Sequence, residues 1–160
     1  MLNAKTGKKD KQFVVQLAGQ VDDQADIEKA IGTLPAPPYE MHVNCGQITR
    51  INSIGVKNWI KYFQKIQGLR VPIFFYDCAP PIVQQMNLVF NFSAGGKVVS
   101  MQVPFSCEAE EHNFTLTFTV PDLRKINFNI PGQKCPKCGS ASEFDDIPKI
   151  YFKFLMNPQV

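Results

Sequence analysis

Segments with the two-residue period of strands alternate with segments of helical period through the first two thirds of the chain. This predicts an α/β fold, with helices packed on a largely parallel sheet. Two further observations shape the expectation. Breaker clusters, Pro35-Ala36-Pro37-Pro38 and Gly95-Gly96, fall between the periodic segments. Beyond residue 105 the pattern changes to a hairpin-like alternation followed at once by a Cys-x-x-Cys. With 160 residues, 44% hydrophobic content and 13 phenylalanines, the chain has material for one packed domain and a small appendage.

Residues 1–10, with Lys5, Lys8 and Lys9, read as a flexible, solvated tail. Gln12 to Gly19 follows as a strand, apolar on both sides at Phe13, Val14, Val15 and Leu17. Asp22 and Asp23 are placed to cap a helix whose inner face is Ile27, Ala30, Ile31 and Leu34, ended by the proline cluster. Tyr39 to Cys45 is a second strand with Met41, Val43 and Cys45 on one face and His42 on the other. Val56, Trp59, Ile60, Phe63 and Ile66 then recur at helical spacing up to Gly68, so Asn52 and Ser53 stand where helix caps stand.

Val71 to Tyr76 is a third, deeply apolar strand. Pro80-Pro81 opens a helix that turns Ile82, Val83, Met86, Val89 and Phe90 inward. Val99, Met101, Val103 and Phe105 alternate as a further strand. Phe114 to Val120 alternates strictly with threonines, so one of its faces is wet, and Ile126, Phe128 and Ile130 are expected to return as its hairpin partner. Ile150, Tyr151, Phe152, Phe154 and Leu155 form a last short helix, apolar nearly all round, that docks back on the sheet.

The turn Ile51-Asn52-Ser53-Ile54-Gly55 between strand and helix resembles that of STAS domains, the fold of bacterial anti-sigma factor antagonists. Asn52 stands at that family's aspartate, Ser53 at its phosphorylated serine, Ile54 at its second serine and Gly55 at its glycine. Leu17-Ala18-Gly19-Gln20-Val21-Asp22 resembles the family's approach to its first helix. The resemblance covers residues 11–105, with residues 143–160 as a C-terminal helix docking on the same domain. It implies a STAS-like mixed or parallel sheet with helices. It also implies a non-catalytic signalling protein that binds a kinase-like anti-sigma factor or a signalling complex. The implied contact surface runs from Gln47 to Val56, with Asn52, Ser53, Gly55, Lys57, Asn58 and Lys61 at its centre, and Ser53 as the phosphorylation site. A phosphorylation switch and constitutive docking, with Ser53 serving only its helix end, both remain open.

Residues 106–142 form a distinct unit, a small β-hairpin insertion resembling a zinc ribbon. Cys135-Pro-Lys-Cys138-Gly has the spacing of a zinc knuckle, in which two thiolates in a tight turn reach one tetrahedral ion. A second Cys-x-x-Cys would need cysteine at 110, where the chain has Glu110. Structural Zn²⁺ held by Cys107, Cys135, Cys138 and either Glu110 or His112 is one reading, and a ribbon that holds its hairpin without metal is another. A redox Cys135–Cys138 dithiol is weaker, because the pair does not lie at a helix start after a strand.

Other classes find less support. The sequence has no phosphate-cradling glycine loop, metalloprotease helix or hydrolase serine motif, so an enzyme is not expected. The net charge of +3 is too small to argue for nucleic acid. The runner-up is nevertheless a zinc-ribbon module docking on nucleic acid or the transcription machinery, through Arg124, Lys125 and Lys137. The first dozen residues are polar and no stretch has the length of a membrane span. Five cysteines, an odd and uneven set, point to a reducing, cytoplasmic setting.

Overall fold

Strand order and connection handedness together decide which face of the main sheet is covered. The computed structural model describes residues 1–109 and 111–156. Its first sheet holds β1 (Asn3–Lys9), β2 (Gln12–Val21), β3 (Glu40–Ile51), β4 (Ile73–Tyr76) and β5 (Lys97–Val98), in that spatial order. Strands β2 to β5 are parallel and β1 is antiparallel to β2. The links α1 (Ile27–Ile31), α2 (Ser53–Gly68) and α3 (Pro80–Leu88) all step the same way along the sheet. Right-handed crossovers then put the helices on one face. Met41, Val43 and Cys45, all fully buried, point to that face, where Trp59 and Phe63 of α2 pack on Phe75 at 5.9 and 5.2 Å. The opposite face is only partly buried: Val14 is 42% exposed, and His42 stacks on Phe74 and bonds Tyr76 Oη at 2.7 Å.

A second sheet, ordered β7-β6-β9-β8, is built from β6 (Ser100–Cys107), β7 (His112–Thr119), β8 (Gln133–Lys134) and β9 (Ala141–Phe144). It is tied to the first where Cys78 N–H donates to the Ser100 carbonyl and Gln102 N–H to the Cys78 carbonyl, at 3.1 and 2.9 Å. The short helices α5 (Pro148–Tyr151) and α6 (Lys153–Met156) dock on this junction. There Tyr151 Oη donates to the Gln102 carbonyl at 2.6 Å, and Asn87 of α3 bonds the Tyr151 carbonyl and the Phe154 N–H. Among the described residues no helix is long and apolar enough to cross a membrane.

Several expectations are corrected. Residues 1–10 are not a flexible tail: Asn3–Lys9 pairs along its length with β2, and Leu2 is buried. Its lysines suit an edge strand, where charge discourages a further strand from adding. The partner of β7 is β6, not residues 126–130, so a boundary at residue 105 cuts through a strand. After Thr119 the chain turns helical as α4 (Val120–Lys125), because Pro121 fits a first helical turn and the Thr119 hydroxyl accepts from Asp122 N–H. Asp26, rather than Asp22 or Asp23, caps α1. Phe90 is 73% exposed, since α3 ends at Leu88.

Candidate functional site

The β3–α2 turn lies at the carboxyl end of a parallel sheet, the edge at which open α/β folds bind ligands. Asn52 is the N-cap of α2, and its side-chain oxygen accepts from the Gly55 N–H at 2.8 Å. The Asn52 N–H donates to the Val21 carbonyl at 3.2 Å, drawing the helix start against the end of β2. Gly55 is buried in that contact, and a Cβ there would collide with the Val21 carbonyl oxygen. The glycine is therefore required by close backbone approach and not by an unusual torsion.

Because Asn52 provides the cap, Ser53 is left as an exposed first helical residue. Ile54 beside it is 52% exposed. Lys57 and Lys61 are exposed on the outer face of α2 and Asn58 is half-buried. Lys65, one turn further, is paired with Glu28 of α1. The expected contact residues Asn52, Ser53, Lys57, Asn58 and Lys61 thus form one accessible surface, and Gly55 lies beneath it.

The second centre is assembled by the β8–β9 hairpin. Cys135 N–H donates to the Ser140 carbonyl, and Gly139 N–H closes the knuckle on the Cys135 carbonyl, both at 2.8 Å. Gly139 has a φ of +75°, a region that glycine enters freely. Strand β6 pairs with β9 and carries Cys107 alongside, so the sulfurs of Cys107, Cys135 and Cys138 all lie within 4.8 Å of one another. Cys107 and Cys135 are buried and Cys138 is exposed. Hydrogen bonds with Ser140 hold the Cys138 thiol below its usual range.

Such a group of three thiols could hold a metal ion. His112 sits opposite Cys107 in the β6–β7 register, but its ring stacks on Phe114 at 6.0 Å and does not join the three-sulfur group. Glu110, the other expected ligand, lies outside the described residues. No protein-family model matches the chain, and no curated protein matches it either.

Two features here escape a sequence reading. The Asp77 carboxylate accepts from Asn44 and from Ser100, both at 2.9 Å, across the junction of the two sheets. Cys78 is fully buried beside Cys45, with the sulfurs 3.6 Å apart. The hydrogen bond to Cys78, followed by desolvation, pushes the Cys45 thiol well above its ordinary range. Only the position of Asp77-Cys78 just past an apolar strand hints at either.

Proposed function

We propose that this chain is a non-catalytic regulatory protein of bacterial signalling, STAS-like in its main domain, that binds a protein partner through the Ser53 turn and the outer face of α2. The partner is of the anti-sigma factor or serine-kinase type, and a cytoplasmic setting suits its reduced thiols. One observation carries the reading. Ser53 is exposed at the first position of a 16-residue helix, while its neighbours Asn52 and Gly55 are committed to holding that helix in place. A modification of the hydroxyl would therefore meet the partner without disturbing the fold.

Phosphorylation would add about −1.5 to −2 charges beside backbone amides that favour an anion. A partner fitted to a neutral hydroxyl would lose contact through desolvation and charge opposition. The test is capture of partners from lysate of the source cells with the wild type and with Ser53→Asp, with phosphopeptide mapping over Ser53. A partner retained by the wild type and lost by the folded variant supports the switch. Loss of that partner with Lys57→Glu but not with Ser53→Asp leaves constitutive docking.

The cysteine centre supports a structural Zn²⁺ within the same reading, since three thiolates suit a borderline-soft ion. A zinc-ribbon-like role for the second sheet follows from that donor set. Its contribution would be to hold together a hairpin whose β8 strand spans two residues and cannot bury a core of its own.

A further inference from the structure

The three thiols around the β8–β9 knuckle lie within 4.8 Å of one another but differ in access, and that difference bears on their chemistry. Cys138 is exposed, whereas Cys107 and Cys135 are buried. The sulfurs of Cys107 and Cys138 are 3.5 Å apart although they belong to different hairpins. A reagent from solvent therefore meets Cys138 first, and the Cys107 sulfur across the sheet lies within reach to answer it.

We infer that Cys138 is a site of oxidation by hydroperoxides and that Cys107 is its resolving partner. The pairing differs from a Cys135–Cys138 dithiol, because the bond formed ties β6 to the knuckle. In the first step the Cys138 thiol attacks the distal oxygen of a hydroperoxide. The O–O bond breaks, Cys138 becomes a sulfenic acid and the peroxide leaves as an alcohol, or as water when it is hydrogen peroxide. In the second step the Cys107 sulfur attacks the Cys138 sulfur, the S–O bond breaks and water departs, with the thiol proton carried off by the departing oxygen. Two electrons pass from the two thiols to the peroxide, and a thiol reductant reverses the change.

This inference rests on the three-sulfur cluster as a reactive centre and deepens the zinc reading. A disulfide between Cys107 and Cys138 removes two of three thiolates from any bound ion, so oxidation would release zinc. The peroxide state of the cell would then be read into the second sheet, which is joined to the main domain at Cys78 and Met101.

The test is non-reducing peptide mapping of the full-length protein after hydrogen peroxide, with metal content measured before and after. The expected result is a Cys107–Cys138 link that dithiothreitol removes. In Cys107→Ser the reaction should stop at a sulfenic acid on Cys138 that dimedone traps, and in Cys138→Ser both products should be lost. A link between Cys135 and Cys138 instead, or no modification of Cys138, overturns the inference while leaving zinc binding intact. A protein that carries no zinc yet forms the Cys107–Cys138 link overturns the metal reading and upholds this one. If Cys107→Ser does not fold, the identity of the link in the wild type still decides.

Discussion

Gly55 and the Val21 carbonyl oxygen lie so close that no side-chain carbon fits between them. Together with the Asn52 N–H bond to the same carbonyl, this contact holds the start of α2 close against the end of β2. Gly55→Ala must push the two backbones apart. Its expected cost is about 3 kcal/mol, the upper part of the range for overpacking a tight site. Urea unfolding of the variant against wild type checks it, and an unchanged midpoint would mean the helix start yields easily.

Asn52 offers a gentler probe of the same turn. Its side chain satisfies the Gly55 N–H, so Asn52→Ala should cost about 1 kcal/mol. Asn52→Asp keeps the acceptor and adds a negative charge at a helix end whose first turn holds no acidic residue. It should be neutral or gain a few tenths of a kcal/mol, the gain shrinking with added salt. Both values come from the same unfolding experiment.

The cysteine centre makes a metal prediction. Zinc at a hundredfold excess over its Kd should stabilise the fold by about 2.7 kcal/mol. For a chain of this size that is a rise of roughly 5–10 °C in Tm. Cys135→Ser and Cys107→Ser should each abolish the rise, whereas His112→Ala should leave most of it, since His112 stands apart from the sulfur group. Differential scanning calorimetry with and without a chelator measures this directly.

Tyr62 gives a pH prediction of definite sign. Its hydroxyl is buried and finds no hydrogen-bond partner among the described residues. Burial first, then the nearby Tyr39 and Glu28, push its phenol far above the ordinary range. The folded protein thus holds this proton more tightly than the unfolded chain. That stability is whole below the unfolded pKa of about 10 and is lost as pH rises from there toward the folded value. Tyr62→Phe removes an unpaired buried hydroxyl and should gain about 1 kcal/mol at neutral pH. It should also flatten the loss of stability above pH ~10, which denaturation at a series of alkaline pH values would show.

Where burial follows a local period, the fold is legible in the sequence. The spacing of Trp59, Phe63 and Ile66 predicts the buried face of α2, and all three are fully buried. The alternation of Phe114, Leu116 and Phe118 with threonines predicts a half-wet strand, and those residues are half-buried. The knuckle at Cys135 and Cys138 is equally plain. The choice of partner strand is what misleads. Ile126, Phe128 and Ile130 carry a strand's alternation, yet β7 pairs with β6, whose N-terminal end runs beside Cys78 at the end of β4. Nor does a polar run such as Asn3–Lys9 show a local period, because an edge strand gains its stability from the neighbour it pairs with.

By itself, then, the sequence determined the local properties of this protein: which stretches bury a face, where α2 begins at Asn52 and Ser53, and which turn presents two thiols. Periodicity and capping act within a few residues and leave their mark on composition. Tertiary structure alone decided that β1 completes the sheet edge, that Gly55 rests on Val21, and that Cys107 arrives 3.5 Å from Cys138. These relationships join residues distant in the chain or depend on which strands pair. Their free energy comes from pairing and burial across the whole chain, and no short window of sequence contains it.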